Sequence, residues 1–114
     1  MTLFPRPNSA KRAPRAELRA PIAAVITKEK GDTINGELQT FSMTGGRICI
    51  PARFAEDDLV EITFSTACGV VQGLAGMLKP GKAKNGLVVQ PFRFVAVDDQ
   101  YCNNLREAIE SSGN

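Results

Sequence analysis

The stretch LVEITFS, residues 59–65, alternates apolar and polar side chains with a period of two. Val60, Ile62 and Phe64 fall on one side of a pleated strand, facing a core. Glu61, Thr63 and Ser65 fall on the other, facing solvent.

Shorter segments of the same kind lie on both sides of it. Upstream, PIAAVITK (21–28) is apolar and β-branched towards its end, and ELQTF (37–41) and RICI (47–50) read as strands, with Ile48 and Ile50 on one face. Between the first two, KGDTING holds two turn signals, Gly31-Asp32 and Asn35-Gly36. Asn-Gly is the stronger hairpin candidate. Downstream, a turn at Ala67 to Gly69 leads into VVQGLAGML, where Gly73 and Gly76 mark bulges or tight barrel corners. PGKAKNG (80–86) is a loop by composition, and GLVVQPFRFVAV (86–97) is a long last strand. Pro91 within it implies a bulge or an edge, because proline cannot donate to a ladder.

The end differs in kind. Asp98 or Asp99 serves as an N-cap for a helix over QYCNNLREAIE, with Tyr101, Leu105, Ala108 and Ile109 on one face. Six strands and a terminal helix predict a mainly β protein: a small antiparallel barrel with the helix over an open end or face.

The chain has 114 residues, 43% of them apolar, which suits one domain with a real core. It has no histidine, so a histidine-based triad or a His-ligated zinc site is excluded. Cys49, Cys68 and Cys102 stand far apart, against a disulfide framework or a four-thiolate metal site. They read as small buried hydrophobes in a reducing cytosol. No apolar run spans a bilayer, and MTLFPRPNSAKR lacks the apolar centre of a secretory signal. The expected location is cytoplasmic, without membrane insertion.

The formal charge of +2 is unevenly spread. Residues 1–21 carry five basic residues and one acidic, a net +4; the remainder carries nine and eleven, a net −2. Residues 1–16, rich in Pro, Ala and Arg, read as a flexible basic arm, and residues 17–111 as the folded domain. A basic arm suits a phosphate-bearing partner or simply a solvated tail. The basic stretch KRAPRAELR (11–19) holds Arg12, Arg15 and Arg19, which have the fork and the flat face that grip phosphate and guanine.

The turn TFSMTGGR (40–47) also has two readings. Gly45 and Gly46 serve hairpin geometry alone, or they let the backbone join the Thr40 and Ser42 hydroxyls around an anion. The acidic pairs Asp57-Asp58 and Asp98-Asp99 precede a strand and a helix, where they act structurally. No nucleophile–base motif, Walker loop or dinucleotide fingerprint is present, so no catalytic residue, metal or cofactor is expected. Nucleic-acid binding is not expected either, because exposed stacking aromatics are lacking.

Arm and turn, in this order, resemble the PilZ domain family. That family carries RxxxR before its first strand and (D/N)xSxxG after its second, and together these bind the bacterial second messenger cyclic di-GMP. Arg15-x-x-x-Arg19 matches the first, with Lys11/Arg15 an alternative register. Thr40 to Gly45 matches the second at Ser42 and Gly45. The resemblance covers nearly all of residues 11–111. It implies a six-stranded split barrel with a C-terminal helix, and a cyclic di-GMP site made of Arg12, Arg15, Arg19, Thr40, Ser42 and Gly45. It also implies a downstream protein partner in motility, pilus or exopolysaccharide systems.

Thr40 departs from the family's Asp or Asn. A hydroxyl in place of a carboxylate forgoes about 1.5–3 kcal/mol, roughly one to two decades of affinity. The alternative implied is an adaptor that keeps the fold, binds no nucleotide and acts through protein contacts.

Overall fold

The computed structural model describes residues 2–3 and 15–112. The alternation at residues 59–65 is realised in one strand (Leu59–Thr66) whose Val60, Ile62 and Phe64 are buried and whose Glu61 and Ser65 are exposed. In chain order the elements are β1 (Thr2–Leu3), β2 (Arg15–Thr27), β3 (Thr33–Ser42), β4 (Gly45–Ile50), β5 (Leu59–Thr66), β6 (Gly69–Met77), β7 (Ala83–Lys84), β8 (Leu87–Val97) and α1 (Asp99–Ser112).

Among the described residues, six of these strands close a barrel in the order β8-β4-β3-β2-β5-β6 and back to β8, every pairing antiparallel. The expected fold class is therefore borne out. Closure depends on β8. One of its edges pairs Val88 to Arg93 with β4, and the other pairs Phe92 to Val97 with β6. The remaining lengths of those edges take the two short strands, β1 beside Ala96 and Val97 and β7 beside Leu87 and Val88.

Pro91 sits where this arrangement can accept it. The Leu78 N–H donates to the Pro91 carbonyl (2.9 Å) and the Gly81 N–H to that of Val89 (2.8 Å). In an antiparallel strand a residue's nitrogen and carbonyl share one edge, so the missing Pro91 donor faces the gap between β6 and β7. The proline is locally at an edge, and its pairing with Arg47 of β4 stays in register. In β6 the register against β8 shifts between Leu74 and Ala75, inside the segment bounded by Gly73 and Gly76.

The interior is apolar and aromatic. Phe41 and Phe64 meet at 5.6 Å between ring centroids, and Phe92 and Phe94 meet edge-on at 5.4 Å. Ile48 and Ile50 both face inward, fully buried. Helix α1 begins after Asp98, whose carbonyl accepts the Cys102 N–H (2.8 Å). It packs chiefly on β6, burying Leu105 and Ala108 and half-burying Tyr101 and Ile109, with Cys102 as a further buried residue. Asn104 Nδ2 ties it to the Val70 carbonyl (2.8 Å). No helix among the described residues is long and apolar enough to cross a membrane.

Two local expectations need correction. Asn35-Gly36 is not a hairpin; it lies within β3, opposite Val25 and Ala24. The reversal comes earlier, at Glu29 to Gly31, closed by Gly31 N–H to the Lys28 carbonyl and Lys28 N–H to the Asp32 carbonyl (both 2.8 Å). Gly36 is required for another reason: a Cβ there would lie 2.5 Å from Ile50 Cγ2 and 2.8 Å from the Cys49 carbonyl oxygen. The Asn-Gly hairpin is instead Asn85-Gly86, with φ of 55° and 78°, joining β7 to β8 inside the stretch expected to be a loop.

The first barrel strand also begins earlier than its apolar segment indicates, at Arg15. Residues 15 and 16 of the expected arm are thus in strand, as are Thr2 and Leu3. Residues 4–14, Arg12 among them, lie outside the described residues.

Gly36→Ala is expected to destabilise the domain by about 1–3 kcal/mol through overpacking. For a domain of this size that is a fall of roughly 5–15 °C in Tm, measured by thermal unfolding. Asn35→Ala, at an exposed position one residue earlier, should leave Tm within about 2 °C.

Candidate functional site

The turn that ends β3 is a two-residue hairpin, Met43-Thr44, between the paired residues Ser42 and Gly45. Its geometry comes from a serine side chain. The Ser42 hydroxyl accepts the Thr44 N–H (3.2 Å), lies 3.1 Å from Thr44 Oγ1, and reaches the Gly45 carbonyl at 3.4 Å. The Thr44 carbonyl then accepts the Phe94 N–H (2.8 Å), anchoring the turn to β8.

The two glycines serve close strand approach. A Cβ on Gly45 would collide with the Phe92 carbonyl oxygen and lie 2.8 Å from Arg93 Cα. One on Gly46 would overlap the Thr40 carbonyl oxygen and lie 3.2 Å from Phe92 Cζ. The hairpin reading of this turn thus accounts for Ser42, Gly45 and Gly46 in structural terms. What they are set beside is a separate matter.

Strand pairing sets the turn within two rows that cross the barrel wall. In the first, Arg15 of β2 is opposite Ser42, Ser42 opposite Gly45, and Gly45 opposite Arg93 of β8. In the second, Glu17 is opposite Thr40, Thr40 opposite Arg47, and Arg47 opposite Pro91. Between them runs a row containing the core residues Phe41 and Phe92, so in β3, β4 and β8 these two rows belong to the outer face. Each row crosses three inter-strand spacings, about 14 Å.

Thr40 and Ser42 are 6% and 8% exposed, Arg93 is half-buried and Arg47 is exposed. Small hydroxyl side chains therefore form the floor, with guanidinium groups on the β4 and β8 side. Two register shifts next to the rows explain their spacing. Gln39 is an extra residue against β4, and on its other side it stands alone against Leu18 to Pro21 of β2.

The structure thus brings Arg15, Thr40, Ser42 and Gly45 together at the level of register. Arg19 falls in the irregular stretch of β2, four residues beyond Arg15. Arg12 lies outside the described residues. Sequence reading missed Arg93, although Phe92 and Phe94 facing the core require the residue between them to face out. It also missed the place of Arg47 beside Thr40, which needs the one-residue bulge at Gln39 to be known.

Other titratable groups have structural surroundings. Asp58 Oδ2 accepts the Ala55 N–H (2.9 Å), and the Asp57 N–H donates to the Met77 carbonyl (2.7 Å). Burial pushes the Cys49 thiol above its ordinary pKa; the Glu37 carboxylate adds to this and the Arg47 guanidinium opposes it. A thiol held in its neutral form is a poor nucleophile. Two surface depressions lie around Thr27, Lys28, Leu59 and Val60, and neither includes a residue of the rows.

Ser42→Ala is expected to fold with a loss of about 0.5–1.5 kcal/mol, one neutral hydrogen bond, seen as a small decrease in Tm. Gly46→Ala should cost at least twice as much, because its Cβ meets backbone rather than a movable side chain.

No protein-family model and no curated protein matches the chain. Solved structures do. The PilZ domain of YcgR from Escherichia coli, determined with c-di-GMP, superposes with a TM-score of 0.70 at 20% identity, covering 92% of each chain. The c-di-GMP complex of MrkH from K. pneumonia gives 0.70 at 12% identity, over 91% of this chain and 52% of MrkH, so this chain spans about half of that protein. The PilZ domain of CeSA from a cellulose-synthesizing bacterium gives 0.58 at 17% identity, over 88% of this chain and 98% of the other. The superpositions extend over about nine-tenths of this chain: its fold is that of a PilZ domain.

Proposed function

We propose that this chain is a cyclic di-GMP receptor domain of the bacterial cytoplasm. One observation carries the reading: the register that sets Arg15 opposite Ser42 and, through it, Gly45. The two halves of the sequence motif, 27 positions apart along the chain from Arg15 to Ser42, become neighbours across one strand pairing. Two of the structural neighbours, the PilZ domain of YcgR and MrkH, are described in complex with c-di-GMP, which supports the ligand class.

In this reading Arg12, Arg15 and Arg19 supply guanidinium groups to phosphate and guanine, and the Thr40, Ser42 and Gly45 positions form the barrel side of the site. Arginine suits the task because its fork binds a phosphate through two parallel hydrogen bonds and its flat face stacks on a purine. Arg47 and Arg93 on the same outer face add positive potential, which strengthens attraction of a dianionic ligand at low ionic strength. The arm closes over the nucleotide against the turn, and the closed arm presents a new surface to a downstream protein.

A second reading has its own support. The Ser42 hydroxyl is engaged within its own turn, and Thr40 offers no charge. Both suit a domain of the same fold that binds only proteins.

Titration calorimetry distinguishes the two. The receptor reading predicts heat from the wild type with cyclic di-GMP and a loss of at least tenfold in affinity for Arg15→Ala. Arg19→Ala and Lys11→Ala measured side by side identify the partner of Arg15. A folded wild type that gives no heat at high micromolar ligand contradicts the receptor reading and favours the adaptor.

A further inference from the structure

Guanine presents two adjacent donors on its pairing edge, N1–H and the 2-amino group, and acceptors at O6 and N7. Arginine has only donors, so the guanidinium groups of this site can address O6, N7 and phosphate but not the donor pair. A group that accepts from two neighbouring donors at once needs two oxygens, as a carboxylate has. Position 40 holds a threonine with one hydroxyl oxygen, and the Ser42 oxygen already accepts the Thr44 N–H.

The two rows contain one carboxylate residue, Glu17, and strand pairing puts it directly opposite Thr40. Directly opposed residues in an antiparallel pair share a face and stand about 4.5–5.5 Å apart. Glu17 therefore occupies the register position beside Thr40, one strand over, in the row next to Arg15 and Ser42. The nearest acidic residue on β3, Glu37, lies beyond the bulge at Gln39 and opposite Cys49, outside both rows.

We infer that Glu17 is the base-reading residue of this site, supplying from β2 the carboxylate that position 40 lacks and thereby selecting guanine over adenine. The inference rests on the receptor reading above and adds to it the residue that sets base specificity. It also gives a use to the one acidic residue in the otherwise basic segment 1–21.

The test compares affinities for cyclic di-GMP and cyclic di-AMP on the same samples, because a ratio is unaffected by a partly unfolded fraction. Glu17→Gln is expected to weaken cyclic di-GMP binding about tenfold to a hundredfold while leaving cyclic di-AMP binding unchanged, so the preference collapses. Adding Thr40→Asp to Glu17→Gln restores most of the preference from the facing strand. Glu37→Gln keeps it intact. An unchanged ratio in Glu17→Gln, or an equal loss in Glu37→Gln, overturns the inference and leaves the receptor reading standing. A loss of fold in Glu17→Gln that Thr40→Asp does not repair assigns Glu17 a structural role and also overturns it. Absence of binding by the wild type overturns the receptor reading, and the inference falls with it.

Discussion

Strand β8 is hydrogen-bonded along both edges, and the rest of the molecule depends on how it shares them. Its first part belongs to β4 and its last part to β6, with the changeover at Phe92 and Arg93. That division closes the barrel and places Pro91 where no donor is needed. It also sets Arg93 opposite Gly45, in line with the β3–β4 turn. The cost is steric. With β4 drawn against the Phe92 and Arg93 backbone on one side and Thr40 on the other, there is no room for a side chain at Gly45 or Gly46. The double glycine is a packing requirement first, and the bare backbone it leaves beside Ser42 is a consequence.

The candidate site arises from the same geometry. A tight hairpin fixes the β3–β4 register, antiparallel pairing carries it to β2 and β8, and the two rows follow. The bulge at Gln39 matters most here, since a slip of one residue turns every following side chain to the other face. It brings Thr40 out of step with Leu38, so that Arg47 rather than Gly46 stands beside it. In the proposed receptor reading the interaction energy is chiefly electrostatic, between guanidinium groups and a ligand carrying two phosphates, with hydroxyls and backbone setting position.

How much of this the sequence disclosed depends on how local the cause was. The LVEITFS alternation reports burial of one face directly, and β5 follows it residue by residue. The amphipathic face of α1 was equally legible, except that Cys102 was not counted with it. Asn35-Gly36 misled because an Asn-Gly pair states only what the backbone tolerates. Whether Gly36 serves a turn or a close contact is decided by Ile50, 14 positions away in the chain. The start of β2 was hidden for a related reason. Residues 15–20, RAELRA, show no apolar period, and of these Arg15 to Glu17 are held by pairing with the backbone of β3. Ser42 and Gly45 were legible as a motif, whereas Arg47, Arg93 and Glu17 become candidates only through register.

The central claim is that the rows crossing Arg15, Ser42, Gly45 and Arg93 receive the nucleotide. The most direct measurement is a titration of the isotope-labelled protein with cyclic di-GMP, following backbone amide resonances. The account predicts saturable shifts at Arg15, Ser42, Thr44, Gly45, Arg47 and Arg93, with Lys28 to Lys30, in the turn at the other end of β2 and β3, unmoved. Shifts confined to that turn, or none at all in a folded sample, contradict it.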